Sequence, residues 1–169
     1  MIKTLAVLAL AACLSAPSAG EAREQASSRL LAVLPTDGLD GRSVFAFRDQ
    51  AALDAHYYLA DETVLGMDGT AEAVLASYRA GPGQALLLVV AYASDEAARR
   101  AYERFGADFF SARFDKTRPR TVERIETGDY AAAVRTGSFL IVVLEAPDRK
   151  SCDELARRTE ERALASRGA

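Results

Sequence analysis

LLVVAYASDEAARRAYERF, residues 87–105, decides the fold, because its pattern returns as LIVVLEAPDRKSCDELARR at residues 140–158. Leu88 aligns with Ile141, Val89 with Val142, Val90 with Val143 and Asp95 with Asp148. Each stretch opens on a continuous apolar run. An alternating run would mark a strand with one wet face; a continuous one marks a strand covered on both faces and central in its sheet. Each run then passes through a polar cap into a helix. Ser94 is the expected cap of the first, with Asp95 and Glu96 in the turn where the helix dipole favours negative charge. Ala98, Ala101, Tyr102 and Phe105 form its core stripe. The second helix runs from Asp148 to about Ala165, with Cys152, Leu155, Ala156 and Leu164 among its apolar positions. Two copies are too few for a solenoid.

Working outward, each apolar strand has a hairpin partner before it. Residues 71–79, AEAVLASYR, satisfy helical spacing (Ala71, Val74, Leu75, Tyr78) as well as strand spacing (Val74, Ala76, Tyr78). The AGPGQ turn that follows, with a strong strand beyond it, decides for a hairpin. In the second half, strands are expected at Thr121–Glu126, Tyr130–Arg135 and Phe139–Glu145, separated by turns at Thr127-Gly128-Asp129 and Thr136-Gly137-Ser138. The N-terminal part reads as an apolar segment, Leu30–Leu34, stopped by Pro35, then a TDGLDG turn cluster and a short strand over Ser43–Phe47. Asp49 caps a helix expected over 50–60, with Ala52, Leu53, His56 and Tyr57 along one stripe. Asp61 to Gly69 is a short helical or irregular connection. The sum is an α+β domain. Two β-β-α units follow an N-terminal strand-helix segment, and their central strands pair in one antiparallel sheet with the helices mainly on one face.

The first residues are a separate matter. Lys3 is followed by an apolar run from Thr4 to Ala12, extendable to Ala16, then by small residues at Ala16, Ser18, Ala19, Gly20 and Ala22. The run is shorter than the roughly 18 residues that span a bilayer. A short cationic start, an apolar run and small residues form an export signal. Residues 1–22 are assigned to it, 23–29 (REQASSR) to a loose segment and 30–167 to a single domain. Two outcomes fit. Cleavage after Ala19, Gly20 or Ala22 discards Cys13; the Leu10-Ala11-Ala12-Cys13 pattern instead makes Cys13 a lipid anchor. The second leaves an apolar run of only about nine residues, short for such a signal, so the first is preferred. The expected location is periplasmic or secreted, with membrane attachment through Cys13 as the alternative.

Without the signal about 147 residues remain, enough for one core. The composition is globular: half the chain is apolar and 27% is charged. The net charge of −3 provides no global basic field to draw in nucleic acid. With Cys13 removed only Cys152 remains, so no intramolecular disulfide and no Cys-x-x-Cys metal or redox motif is expected.

The layout of Leu34-Pro35, Asp37-Gly38, Tyr78 with Gly81, Tyr92, Tyr130, and Gly137 with Phe139 resembles a bacterial family of exported proteins of unknown function. The resemblance covers about residues 30–165 and implies the same fold class and export. It implies no catalytic residue. The family's Asn-Gly segment after the first helix is absent from this chain.

Several side-chain groups bear on function. Arg113, Lys116, Arg118 and Arg120 place four positive charges in eight residues, beside Phe114. In neutral and acidic surroundings such a cluster fits a carboxylate, phosphate or anionic headgroup. His56-Tyr57-Tyr58 carries an imidazole and two phenols, but no second ligand at metal-binding spacing accompanies it. Asp37 and Asp40 lie in a Gly-rich turn with too few oxygens for a calcium loop, and Asp61, Glu62 and Asp68 read as solvated acids. Cys152, near a helix start, is either an activated thiol or a small core residue; packing is preferred. No nucleophile elbow or phosphate loop occurs. No catalytic residue, metal or cofactor is assigned. The expectation is a non-enzymatic envelope domain whose partner is a protein or a small anionic ligand. The alternatives are an enzyme assembled from His56, Asp61, Glu62 and the arginines, and a lipid-anchored structural protein.

Overall fold

The two apolar runs lie side by side. In the computed structural model, which describes residues 28–59, 63–67, 69–110 and 114–167, β3 (Gly83–Ala91) pairs antiparallel with β6 (Phe139–Ala146), placing Leu88 opposite Val142 and Val89 opposite Ile141. Residues 1–22 with Cys13, and Asp61, Glu62, Asp68 and Arg113, lie outside the described residues. On one side β2 (Glu72–Ala80) forms the expected hairpin with β3, and β1 (Phe45–Phe47) adds to β2. On the other side β5 (Tyr130–Thr136) pairs with β6 and β4 (Arg120–Arg124) with β5. The six-stranded antiparallel order is β1-β2-β3-β6-β5-β4.

Both faces of this sheet are covered. Leu88, Val90, Leu140, Val142 and Leu144 pack with Ala98, Ala101, Tyr102 and Phe105 of α3 (Asp95–Phe109). Their strand neighbours Leu87, Val89, Ile141 and Val143 point the other way, against Cys152, Leu155, Ala156 and Ala163 of α4 (Arg149–Ser166). The α+β antiparallel architecture matches the reading from sequence; the placement of the helices mainly on one face does not. α3 and α4 occupy opposite faces.

A β-bulge is the physical reason. From Ala132 to Tyr130 β5 takes two steps, while β6 takes three, from Val143 to Ala146. The added residue reverses the alternation. Leu144 points toward α3, but Ala146 points toward α4. Glu145, within the bulge, has φ 55°, the single non-glycine residue with positive φ among the described residues. Just past β3, by contrast, Tyr92 lies on the α3 face two positions before the cap of α3. Ala146 lies on the α4 face two positions before the cap of α4. The caps are Ser94, whose Oγ accepts from Ala97 N at 3.1 Å, and Asp148, whose Oδ1 accepts from Ser151 N at 2.8 Å. The counterpart of Asp148 is thus Ser94 rather than Asp95.

The N-terminal part wraps both sides. Residues 28–33 form helix α1, so Ser28 and Arg29, assigned from sequence to the loose segment, are already helical. Leu30, Val33 and Leu34 bury on the α4 face, and Arg162 Nε donates to Ala32 O at 3.0 Å. Tyr78, fully buried, donates its hydroxyl to Pro35 O at 2.8 Å. Asp49 caps α2 as expected, but α2 spans only Gln50–Asp54 instead of 50–60. The amides of His56 and Tyr57 both converge on Leu53 O, at 2.8 and 2.7 Å. This tightened turn ends the helix.

Candidate anion-binding groove

The edge strand β4 and the first turns of α4 enclose a groove of about 590 Å³. The register of β4 on β5 sets Arg120, Val122 and Arg124 opposite Val134, Ala132 and Tyr130. These three partners lie on the α4 face, so Arg120, Val122 and Arg124 project there too. Thr121 projects oppositely, its hydroxyl 3.3 Å from Tyr102 Oη on α3. Arg118, Arg120, Arg124 and Arg149 line the groove together with Tyr130. Asp115, Glu123 and Asp153 also line it, so positive charge leads by one.

The four arginines are not equivalent. Arg120 is a strut: it donates to Asp153 Oδ1 at 2.7 Å, Asp153 O at 2.8 Å and Glu160 Oε2 at 3.1 Å. Its charge is met by two carboxylates and holds β4 against α4. Arg118 pairs with Asp115 at 3.3 Å. The hydroxyl and amide of Thr117 both donate to Asp115 and hold its carboxyl below the usual range, so this loop keeps its negative charge. Arg124 donates through Nε to Gly128 O at 2.9 Å and forms no ion pair with a described residue. Arg149, the first residue of α4, is exposed, and its side chain makes no hydrogen bond or ion pair with the described residues. Arg124 and Arg149 are therefore the cations most available to an incoming anion.

Of the cluster read from sequence, Arg118 and Arg120 line the groove, Lys116 is exposed on the loop outside its lining, and Arg113 lies outside the described residues. Arg124 and Arg149 were not among the expected residues. Arg124 was within reach, because alternation along the expected strand Thr121–Glu126 puts it on the face of Val122; the strand begins one residue earlier, which adds Arg120 to that face. Arg149 joins only through the tertiary placement of α4.

The other groups have structural roles. The His56 ring stacks on Phe45 with centroids 3.8 Å apart and planes 12° from parallel. Tyr57 donates its hydroxyl to Glu145 Oε1 at 3.0 Å. Burial, then the Glu145 charge, raises the Tyr57 phenol to about 12. Tyr58 is exposed. Asp37 pairs with Arg158 at 2.8 Å, and Asp40 Oδ1 accepts from Arg42 N at 3.0 Å in a short 3-10 turn, Gly41–Ser43. Among the described residues no group of three His, Cys, Asp or Glu is arranged to hold a metal ion. Cys152 is fully buried, and burial pushes its thiol up to about 12, the opposite of activation. No described helix is long and apolar enough to cross a membrane. Phe45, with His56 on it, packs on the α3 side, while Arg120 and Arg124 project on the α4 side, so the sheet stands between imidazole and arginines.

Fold and groove define the class: an α+β domain with a helix-covered antiparallel sheet and a basic groove along one edge strand. Compared with known protein families and with curated proteins, the sequence matches none.

Proposed function

We propose that this is an exported bacterial envelope protein whose domain is a non-enzymatic binding module, taking an anionic ligand or an acidic partner in the β4–α4 groove. One observation carries the reading: Arg124 and Arg149, distant in sequence, converge with Arg118 and Tyr130 on one open cleft. Guanidinium groups at such a site recognise carboxylate or phosphate through charge-assisted, geometrically selective hydrogen bonds. The sheet separating His56 from the arginines weighs against the assembled-enzyme alternative. Export is supported by the cationic, apolar and small-residue order of residues 1–22.

Amide NMR titration with citrate at low ionic strength tests the groove. The expected shifts cluster at Arg118–Arg124 and Arg149–Asp153 and disappear in Arg149→Glu. Shifts scattered over the surface, or none at millimolar citrate, would refute it. Intact-mass measurement of the protein from membrane and soluble fractions tests export. A mature start near Arg23 is expected; an acylated Cys13 would establish the lipid-anchored alternative, and a retained Met1 in exported material would refute both.

A further inference from the structure

The backbone of β4 points in two directions, and its direction is tied to the side chains. Ile125 N donates to Asp129 O, and Arg135 N donates to Pro119 O, each at 2.8 Å. With the register Arg120↔Val134, these two bonds fix the phase of the antiparallel ladder. Thr121 and Glu123 exchange hydrogen bonds with β5. The N–H and C=O groups of Arg120, Val122 and Arg124 therefore point away from the sheet, and no described residue pairs with them. The same three residues send their side chains into the groove. One edge thus offers a row of open backbone groups and, on one side of it, an Arg–Val–Arg pattern.

We infer that β4 is a receptor for an acidic extended segment of a partner protein, which adds as a seventh, antiparallel strand with carboxylates at alternate positions. This rests on the reading of the groove as an anion site and names its occupant. Residues directly opposite Arg120, Val122 and Arg124 in an added strand would sit in hydrogen-bonded pairs, each exchanging two backbone bonds. Their side chains would lie on the α4 face: a carboxylate opposite Arg124 meets a guanidinium that pairs with no described carboxylate, an apolar residue meets Val122, and a carboxylate opposite Arg120 adds little, because Asp153 and Glu160 already meet that charge. Arg149, whose side chain pairs with no described residue, extends the positive side of the groove from the start of α4. A second copy of this chain is the wrong occupant. Antiparallel pairing of β4 with itself about Val122 sets Arg120 opposite Arg124 of the other copy, so the added strand itself brings no carboxylate to Arg124. An acidic strand supplies that carboxylate.

The test uses the full chain with an acetylated, amidated peptide, Ser-Glu-Thr-Val-Thr-Glu-Ser. A second peptide carries the same charges with its valine nitrogen methylated, which removes one backbone donor and blocks the approach of the strand. A third replaces both glutamates by lysine. The first is expected to bind and to slow hydrogen exchange at the Val122 and Arg124 amides, which point outward in the free protein. The methylated and lysine peptides are each expected to bind about tenfold more weakly or worse. Arg124→Glu, checked for folding by circular dichroism, is expected to reverse the preference toward the lysine peptide. Equal binding of the methylated peptide, or unchanged exchange at Val122 and Arg124, would overturn strand addition while leaving the anion groove intact. Binding of citrate but of no peptide would do the same. Failure of citrate as well would remove the groove reading itself. A dimer that protects Val122 and Arg124 without peptide would overturn the choice of occupant.

Discussion

Replacing Glu145 by glycine and, separately, by alanine gives opposite signs in a bulge and in a regular strand. Glu145 has φ 55°, a conformation that costs a residue with a Cβ about 1–2 kcal/mol. Glycine avoids that cost but loses about 0.5–1 kcal/mol more backbone entropy on folding than alanine does. Both substitutions delete the same Tyr57–Glu145 hydrogen bond, so its contribution cancels between them. Glu145→Gly is therefore expected to be more stable than Glu145→Ala by about 0.5–1 kcal/mol. Gln84, exposed in the regular part of β3, is the control: there Gln84→Gly is expected to be less stable than Gln84→Ala by about the same amount. Urea denaturation followed by circular dichroism gives both differences, with tyrosine fluorescence as a second probe in a chain without tryptophan. If Glu145→Gly is the less stable of its pair, the left-handed bulge is not there. The explanation for the opposite placement of α3 and α4 then fails with it.

Cys152, fully buried with its thiol raised to about 12, is expected to resist thiol reagents at neutral pH until the protein unfolds; rapid labelling of the native state would contradict its packing. Arg120→Met removes three donated hydrogen bonds joining β4 to α4 and is expected to cost about 1–2 kcal/mol after allowance for solvent screening. Its signature is faster hydrogen exchange at Thr121 and Glu123; unchanged exchange there would show that β4 does not need the strut. Burial is the leading cause of the raised phenols of Tyr57 (about 12), Tyr78 and Tyr102. A folded pKa above the unfolded value of about 10 means their contribution is intact below that pH and is lost as pH rises through about 12. Alkaline denaturation with tyrosine absorbance is expected to show late, cooperative ionisation; a single non-cooperative step near pH 10 would count against it.

The local signals in the chain were strong, and the structure follows them. Continuous apolar runs marked β3 and β6, the AGPGQ turn placed the β2–β3 hairpin, and Asp49 and Ser94 capped the helices expected of them. What escaped the reading depends on single residues whose type gives no warning. The bulge carries glutamate where glycine would have announced a positive φ, so the reversal of alternation had no sequence mark. α2 ends early because two amides converge on Leu53 O, while the apolar stripe through Tyr57 continues past it. Half the groove was legible as the Arg118–Arg120 cluster and the alternation reaching Arg124. Arg149 needed α4 on the face where β4 projects its arginines, and that placement again follows from the bulge.

The β3–β6 seam has a consequence for how the molecule comes apart. Every strand on one side of it precedes residue 92, and every strand on the other side follows residue 119. The seam thus divides the chain into two contiguous pieces, each ending its share of the sheet in an apolar strand buried on both faces, with Glu145 near the end of β6 as the one charge of the two strands. Severed in the 114–119 loop, each fragment would expose a naked inner edge flanked by apolar side chains, a ready template for aggregation. The surface that closes that edge in the intact chain belongs to the other fragment. Two fragments mixed together have a route back to the native sheet, and two intact chains that exchange halves would rebuild the same seam between molecules.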